Sequence, residues 1–396
     1  MDAVSNPYTP RSGVAPADLA GRDAFRSTTR VVIERMRRGL PAKNLLFVGL
    51  RGVGKTVLLD RMRCDAAADG NQTVHLRVPG RRSLPALLAP EMRLVLLSLS
   101  RHEAGKQASI RALRALSGFT NALKYSYPDI AVGMDFEPES GLADSGVLQQ
   151  DLQALFESAG EAARHVHTGV VLFIDEMQFL PAAELAPLTI ALHHCAQRGL
   201  PLALVGAGLP QLRGLVIDAE ASAEGLFDVF ELGPLSTEAA ARTLRAPAAA
   251  LDVQFEEAAV NHILAATQCY PYFLQELAKQ AWDIALQSPI TLQDTHNAAR
   301  FALAALDEKF FRVRFDRLTP TERKYIRAMA ELGPGPHRSG DIAKVMRRPV
   351  TSLGPSRSQL IAKGVLWSPG HGDTAFAVPR FDEYLRRTWP GNSWRN

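Results

Sequence analysis

Along the first two hundred positions, apolar residues come in short solid runs separated by longer stretches where they recur every three or four residues. Leu45-Leu46-Phe47-Val48, Val170-Val171-Leu172-Phe173-Ile174 and Pro201-Leu202-Ala203-Leu204-Val205-Gly206 are of strand length, as expected of strands covered on both faces in a parallel sheet. Residues 73–78 predict one more strand, ended by Pro79-Gly80. Helical spacing covers 19–38, 57–62, 85–99, 147–163 and 187–198, whereas the polar, Ser- and Gly-containing stretch up to about 142 shows no clear period. Strands alternating with helices predict a three-layer α/β domain with a parallel sheet.

After Leu235 the strand signal stops. Residues 237–251, 256–267, 272–286 and 292–317 all carry apolar positions at three- and four-residue spacing, punctuated by Pro271 and Pro289, which predicts an all-helical lid. Thr319-Pro320-Thr321-Glu322 then opens another helix, with Pro early and an acid in the first turn. Gly333-Pro334-Gly335-Pro336 ends it. A short helix over 341–346 capped by Ser339, a third over 351–363 and two β-like runs at 365–367 and 375–378 complete the pattern of a winged helix-turn-helix. The predicted organisation is a flexible N-terminal arm (1–19), an α/β core (20–235), a helical lid (236–317) and the winged module (318–396).

The first strand delivers the chain into Gly49-Leu50-Arg51-Gly52-Val53-Gly54-Lys55-Thr56, a Gly-x-x-x-x-Gly-Lys-Thr run followed by a helix. Such a loop turns backbone N–H groups inward, and the helix behind it points its positive dipole end at the same spot, so the pattern predicts a phosphate cradle. Gly49, Gly52, Val53, Gly54, Lys55, Thr56 and Val57 are the candidate nucleotide-binding residues. Lys55 reaches the β- and γ-phosphates in such loops, and Thr56 offers a hydroxyl to Mg²⁺.

Hydrolysis also needs a carboxylate near the metal and a group that takes a proton from water or orients it. The buried run at 170–174 ends in Asp175-Glu176, at the carboxyl end of a strand, where open α/β sheets bind ligands. Asp175 is the candidate Mg²⁺ partner with Thr56, and Glu176 the candidate catalytic base with Lys55.

At 396 residues the chain predicts two or three domains, and an apolar fraction of 46% with 22% charged residues is that of a globular protein. Cys64, Cys195 and Cys269 are too scattered for a disulfide framework or zinc spacing, and predict buried free thiols. The N-terminus lacks the basic and apolar regions of a secretion signal, and no apolar stretch is long enough to span a bilayer, which makes the cytoplasm the expected location. Charge is uneven: from Leu318 onward thirteen Lys/Arg face six Asp/Glu, while the preceding part carries 32 against 35. A basic helix-turn-helix on a near-neutral core predicts double-stranded DNA as partner, with Arg347, Arg348 and Lys363 near phosphates and Arg357 and Gln359 near base edges. The alternative is a module for protein contacts or self-association, its charge serving solvation.

Taken together, these motifs resemble AAA+ ATPases of the archaeal-ATPase and origin-recognition-like clade, related to the STAND signalling NTPases. The phosphate loop is similar to Walker A and residues 170–176 to Walker B. Gly21-Arg22-Asp23 resembles the family's element beside adenine, and Tyr270-Pro271-Tyr272 its Gly-x-Pro lid motif, with Cys269 where a glycine is usual. The resemblance implies Arg22 and Pro271 as nucleotide contacts, ATP and Mg²⁺ as ligands, and a P-loop fold with lid and winged helix. Three departures point to slow hydrolysis. The fourth strand ends in Gly206-Ala207-Gly208 rather than a polar sensor, Ala223-Glu224-Gly225-Leu226-Phe227 lacks the arginine that relatives place before Leu-Phe, and no arginine follows Pro271 closely in the lid. The expected protein is a slow ATP-dependent switch that binds DNA. A STAND-like signalling NTPase and a pseudo-ATPase that only binds nucleotide are the alternatives.

Overall fold

The computed structural model describes residues 1–10, 19–78, 82–130, 136–219, 225–391 and 394, so Pro79, Gly80, Ala223, Glu224 and residues 11–18 of the expected arm lie outside it. The central sheet is formed by β1 (Asn44–Gly49), β2 (Gln72–Arg77), β3 (Val170–Asp175), β4 (Leu202–Gly208) and β5 (Phe227–Leu232). They run parallel in the order β2-β3-β4-β1-β5. The three solid apolar runs are the central strands, buried along their whole length. β5 was not expected. Asp228 and Glu231 break its apolar run because it is an edge strand with one exposed side.

Helices α1 (Asp23–Arg37), α2 (Lys55–Ala68), α3 (Leu84–Leu99), α4 (Lys106–Leu123), α5 (Leu148–His165), α6 (Ala182–Gln197) and α7 (Leu212–Ala219) cover the two faces. α4 fills the stretch without clear period. Its Ser109, Ser117 and Gly118 are buried, and a Cβ at Gly118 would lie 2.5 Å from the Leu142 carbonyl oxygen, so small residues are required where the chain packs closest. Of the three cysteines only Cys195 is fully buried. Cys64 is exposed on α2, contrary to the expectation from its apolar surroundings.

The region expected to form the lid comprises α8 (Thr237–Ala249), α9 (Glu257–Thr267), α10 (Pro271–Ile284) and α11 (Leu292–Leu306), the last continuing through a π-helical turn, Asp307–Arg312, into α12 (Val313–Phe315). The expected single helix over 292–317 is therefore interrupted. The described part of the N-terminal arm, residues 1–10, is docked on the lid rather than free. Tyr8 is buried edge-on against Trp282 and Phe255 and donates its hydroxyl to the Leu244 carbonyl, and Trp282 Nε1 donates to the Asp2 carbonyl at 3.0 Å. One buried aromatic outweighs a polar, aperiodic composition here, since its ring removes a large apolar area from water.

The C-terminal unit runs α13 (Pro320–Leu332), β6 (His337–Arg338), α14 (Ser339–Met346), a 3₁₀ turn at Val350–Leu353, α15 (Gly354–Ala362), β7 (Leu366–Trp367), β8 (Asp373–Phe376) and α16 (Phe381–Thr388). Its three strands pair antiparallel in the order β6-β8-β7. Thr319 and Glu322 form a reciprocal capping box at the start of α13, of the kind in which the cap alone contributes about 1 kcal/mol. Ser339 is the first residue of α14, not its cap, and its hydroxyl bonds the Gly372 carbonyl instead. The unit shares an apolar core with the α2 side of the sheet, continuous from Phe47 and Leu58 through Phe273 and Phe310 to Phe381 and Tyr384.

Candidate functional site

β1 ends in Gly49, where a Cβ would lie 2.4 Å from the Leu232 carbonyl oxygen, and the loop then turns through Gly52 and Gly54 at φ +84° and +94°, which only glycine adopts without strain. α2 starts at Lys55. The Lys55 ammonium is buried and donates to the carbonyls of Gly49 (2.8 Å) and Leu50 (2.9 Å). Burial lowers its pKa to about 8, opposed by Glu176 and Asp175.

β3 ends two strands away from β1. Asp175 nevertheless meets Thr56, whose Oγ1 donates to Asp175 Oδ2 at 2.7 Å. Burial raises the Asp175 pKa, partly offset by the Thr56 hydrogen bond. Glu176 follows at φ +58°, a left-handed conformation that is costly for a non-glycine residue. Its side chain lines one cleft with Arg22, Gly52, Val53, Gly54, Lys55, Thr56, Val57 and Pro271, so the structure brings together nearly all candidate nucleotide residues; Gly49 lies behind the loop. Arg22 reaches the wall as a tie across the loop, donating to the carbonyls of Gly233 (2.7 Å) and Val53 (3.5 Å).

The lid closes on the same loop. Tyr270 donates its hydroxyl to the Arg51 carbonyl at 2.6 Å, and the Tyr272 amide donates to the Gly52 carbonyl at 3.3 Å. Cys269 sits at φ +55°, the left-handed backbone that makes glycine usual at this place.

Several cleft residues escaped the sequence reading. Arg314, beyond the π-helical turn, enters the cleft beside Phe310, with its guanidinium 4.3 Å from the ring centroid, and burial lowers its pKa to about 10. No arginine follows the lid motif closely in the chain, as expected, but the fold brings Arg314 into the cleft from beyond the π-helical turn. The π turn re-aims the chain, which no sequence period encodes. Gln178 donates Nε2 to Glu176 Oε2 and accepts the Leu209 amide at 3.0 Å. A Cβ at Gly208 would lie 2.6 Å from Gln178 Oε1, which explains why β4 ends without a polar side chain: the turn after β3 supplies one in its place. Gly225 precedes β5 at the amino-terminal edge of the sheet, opposite the phosphate loop, so an arginine there would not reach a phosphate in the same chain.

Among the candidate DNA residues, Arg347, Arg348 and Gln359 are exposed, and the first two have no ion pair among the described residues. Arg357 is not free. It donates to Thr374 Oγ1, Ser368 Oγ and the Asp373 carbonyl, all at 2.8 Å, holding α15 to the strands. Lys363 pairs with Glu322 at 2.7 Å and bonds the Arg317 carbonyl. Both were expected at phosphates or bases. The structure uses both inside the unit, because carboxylate, hydroxyl and carbonyl acceptors lie within their reach.

A parallel sheet with a phosphate loop at one strand end and Asp-Glu at another defines a P-loop nucleotide-binding protein. Residues 18–205 match the AAA ATPase domain family, so the chain carries an AAA ATPase domain. Residues 308–385 match a domain of unknown function, DUF8462. No curated protein matches the chain by sequence. Among solved structures, the chain shares the fold of the Walker-type ATPase PABY2304 of Pyrococcus abyssi at TM-score 0.57 and 16% identity, covering 95% of this chain and 98% of that one. Looser likenesses are to the Thermotoga maritima RuvB Holliday junction branch migration motor (TM-score 0.46, 17% identity, 96% and 100% covered) and the Aeropyrum pernix Orc1 protein in complex with DNA (0.47, 15%, 94% and 94%). Among the described residues no helix is long and apolar enough to cross a membrane.

Proposed function

We propose that the protein is an ATP-dependent switch: the core (20–235) and lid (236–317) bind ATP with Mg²⁺, hydrolyse it slowly, and alter the placement of a C-terminal winged helix-turn-helix (318–396) that binds duplex DNA. The observation that carries this reading is one cleft lined by Lys55, Thr56 and Glu176 beneath the lid, with Asp175 held behind it by the Thr56 hydroxyl. Thr56 and Asp175 fit magnesium, as two hard oxygen donors side by side at the phosphate loop. Held by these two residues, magnesium would supply positive charge to offset that of the phosphates. Lys55 and the loop amides hold the phosphates, and Glu176 takes or orients the proton of the attacking water. Slow turnover is favoured by the engagement of Glu176 with Gln178.

Phosphate binding should depend on the charge of Lys55. Its pKa in the free protein is about 8, and a bound phosphate holds it protonated, so affinity is full below pH 8 and declines above. Between pH 7 and pH 9 the dissociation constant for ATP should rise about tenfold, measured by titration calorimetry, with proton uptake on binding at the higher pH.

For DNA, Arg347 and Arg348, with Arg338 on β6, are exposed, as is Gln359 on α15. Full-length protein with ATP should bind random duplex DNA with an affinity that falls steeply with salt. Changing both Arg347 and Arg348 to Ala should flatten the log–log slope by up to about two units. An unchanged slope would remove these two from the interface, and no binding at low salt, with or without ATP, would overturn the DNA reading. One observation favours the second reading, a signalling protein whose C-terminal unit works by contact with its own core. That unit packs against the lid through Phe311, Phe381 and Tyr384, and Arg380 donates to the Ala266 carbonyl at 3.0 Å.

A further inference from the structure

Arg51, at the crest of the phosphate loop, belongs to three parts of the molecule at once. Its backbone amide donates to the Ala377 carbonyl at 3.1 Å, and its Nε donates to the Gly364 carbonyl at 2.8 Å, both in the C-terminal unit. Its carbonyl accepts the Tyr270 hydroxyl from the lid. Its Nη1 lies 3.6 Å from Glu176 Oε1, an ion pair rather than a hydrogen bond, with both side chains about four-fifths buried. Glu176 Oε2 is taken by Gln178. Both oxygens of the candidate base are thereby engaged.

The position facing Arg51 is shaped for it. Gly364 stands at φ +64°, and a Cβ there would lie 2.3 Å from Arg51 Nη2 and 3.2 Å from its Cζ. No side chain fits between the carbonyl and the guanidinium.

We infer that Arg51 is a positioning residue that couples the docking of the C-terminal unit to the Glu176 carboxylate: while the unit is docked, Arg51 is anchored beside Glu176 and keeps it from the attacking water. The Arg51 charge at one oxygen and the Gln178 amide at the other hold the carboxylate in one orientation, whereas a base must turn an oxygen lone pair towards the attacking water to accept its proton. Lifting the unit withdraws the Gly364 and Ala377 carbonyls, and Arg51 loses the anchors that fix it there. Turnover then rises without any change in the groups that hold phosphate. The inference rests on the ATPase reading above, and extends it to how hydrolysis is held low.

The test is steady-state ATP hydrolysis and ATP binding by the full chain in five forms: wild type, Arg51→Ala, Arg51→Lys, Gly364→Ala, and Arg51→Ala combined with Glu176→Gln. Arg51→Ala should raise kcat at least about tenfold, within the range a general base contributes, while the dissociation constant for ATP moves less than about threefold. Arg51→Lys should fall between it and wild type, as a lysine keeps the charge but not the fork that spans Gly364 and Glu176. Gly364→Ala, which pushes the guanidinium away from the other side, should raise kcat in the same direction, so the inference survives if one variant fails to fold. In the Glu176→Gln background, Arg51→Ala should add nothing. Unchanged or lower kcat in both Arg51→Ala and Gly364→Ala, with ATP binding intact, overturns the inference and leaves the ATPase reading standing. Loss of ATP affinity in Arg51→Ala also overturns it, making Arg51 a phosphate ligand. Failure of wild type to bind ATP defeats the ATPase reading itself.

Discussion

Lys55→Ala should abolish the rise in melting temperature that ATP and magnesium give the wild-type protein. At a hundredfold excess of ligand over its dissociation constant, that rise corresponds to about 2.7 kcal/mol, several degrees for a chain of this size. The Lys55 ammonium is buried among loop carbonyls and opposite two carboxylates, and it is the charged side chain that the loop geometry aims at the phosphates. Its removal leaves the phosphates facing Asp175 and Glu176 with less compensation. The unliganded variant is melted alongside, so that a change in fold is told apart from a change in binding. An undiminished ATP shift in a folded Lys55→Ala variant would show that nucleotide binds elsewhere.

Glu176→Gln should separate binding from hydrolysis. The side chain lies on the cleft wall but is not part of the Thr56–Asp175 pair, and a base acts in the transition state rather than in the bound ground state. ATP affinity should stay within a few-fold of wild type, while turnover falls by about 10²–10⁴. The amide keeps the shape of the carboxylate and can still bond Gln178, so local folding is little disturbed. Equal losses of affinity and turnover would assign Glu176 to the metal or to the architecture instead of the water.

The parts of the site that are contiguous in the chain were legible. Gly49 to Thr56 and Val170 to Glu176 each carry their geometry locally, since a buried strand, a turn and a helix start are written in neighbouring residues. The central strands were equally plain, because burial on both faces demands unbroken apolar runs. β5 and α4 were missed for the opposite reason: an edge strand admits charges, and a tightly packed helix admits serine and glycine. Arg357 and Lys363 show the limit on the charged side. A basic residue in a basic unit has the same composition signal whether it faces a phosphate or an internal carbonyl, and only the fold shows that Thr374, Asp373 and Glu322 occupy these two.

The chain by itself determined an α/β nucleotide-binding core, the phosphate loop, the paired acids after the third apolar run, and a helical remainder ending in a basic unit. Those properties depend on residues within a few positions of one another. Tertiary structure decided that Asp175 meets Thr56 across β4, that Arg314 enters the cleft after a π-helical turn, and that Tyr8 ties the N-terminal residues to the lid. It also decided that Arg51 touches Gly364, more than three hundred residues away in the chain. Contacts of that separation depend on how whole elements pack, and packing is set by the fit of many side chains at once rather than by the period of any one segment.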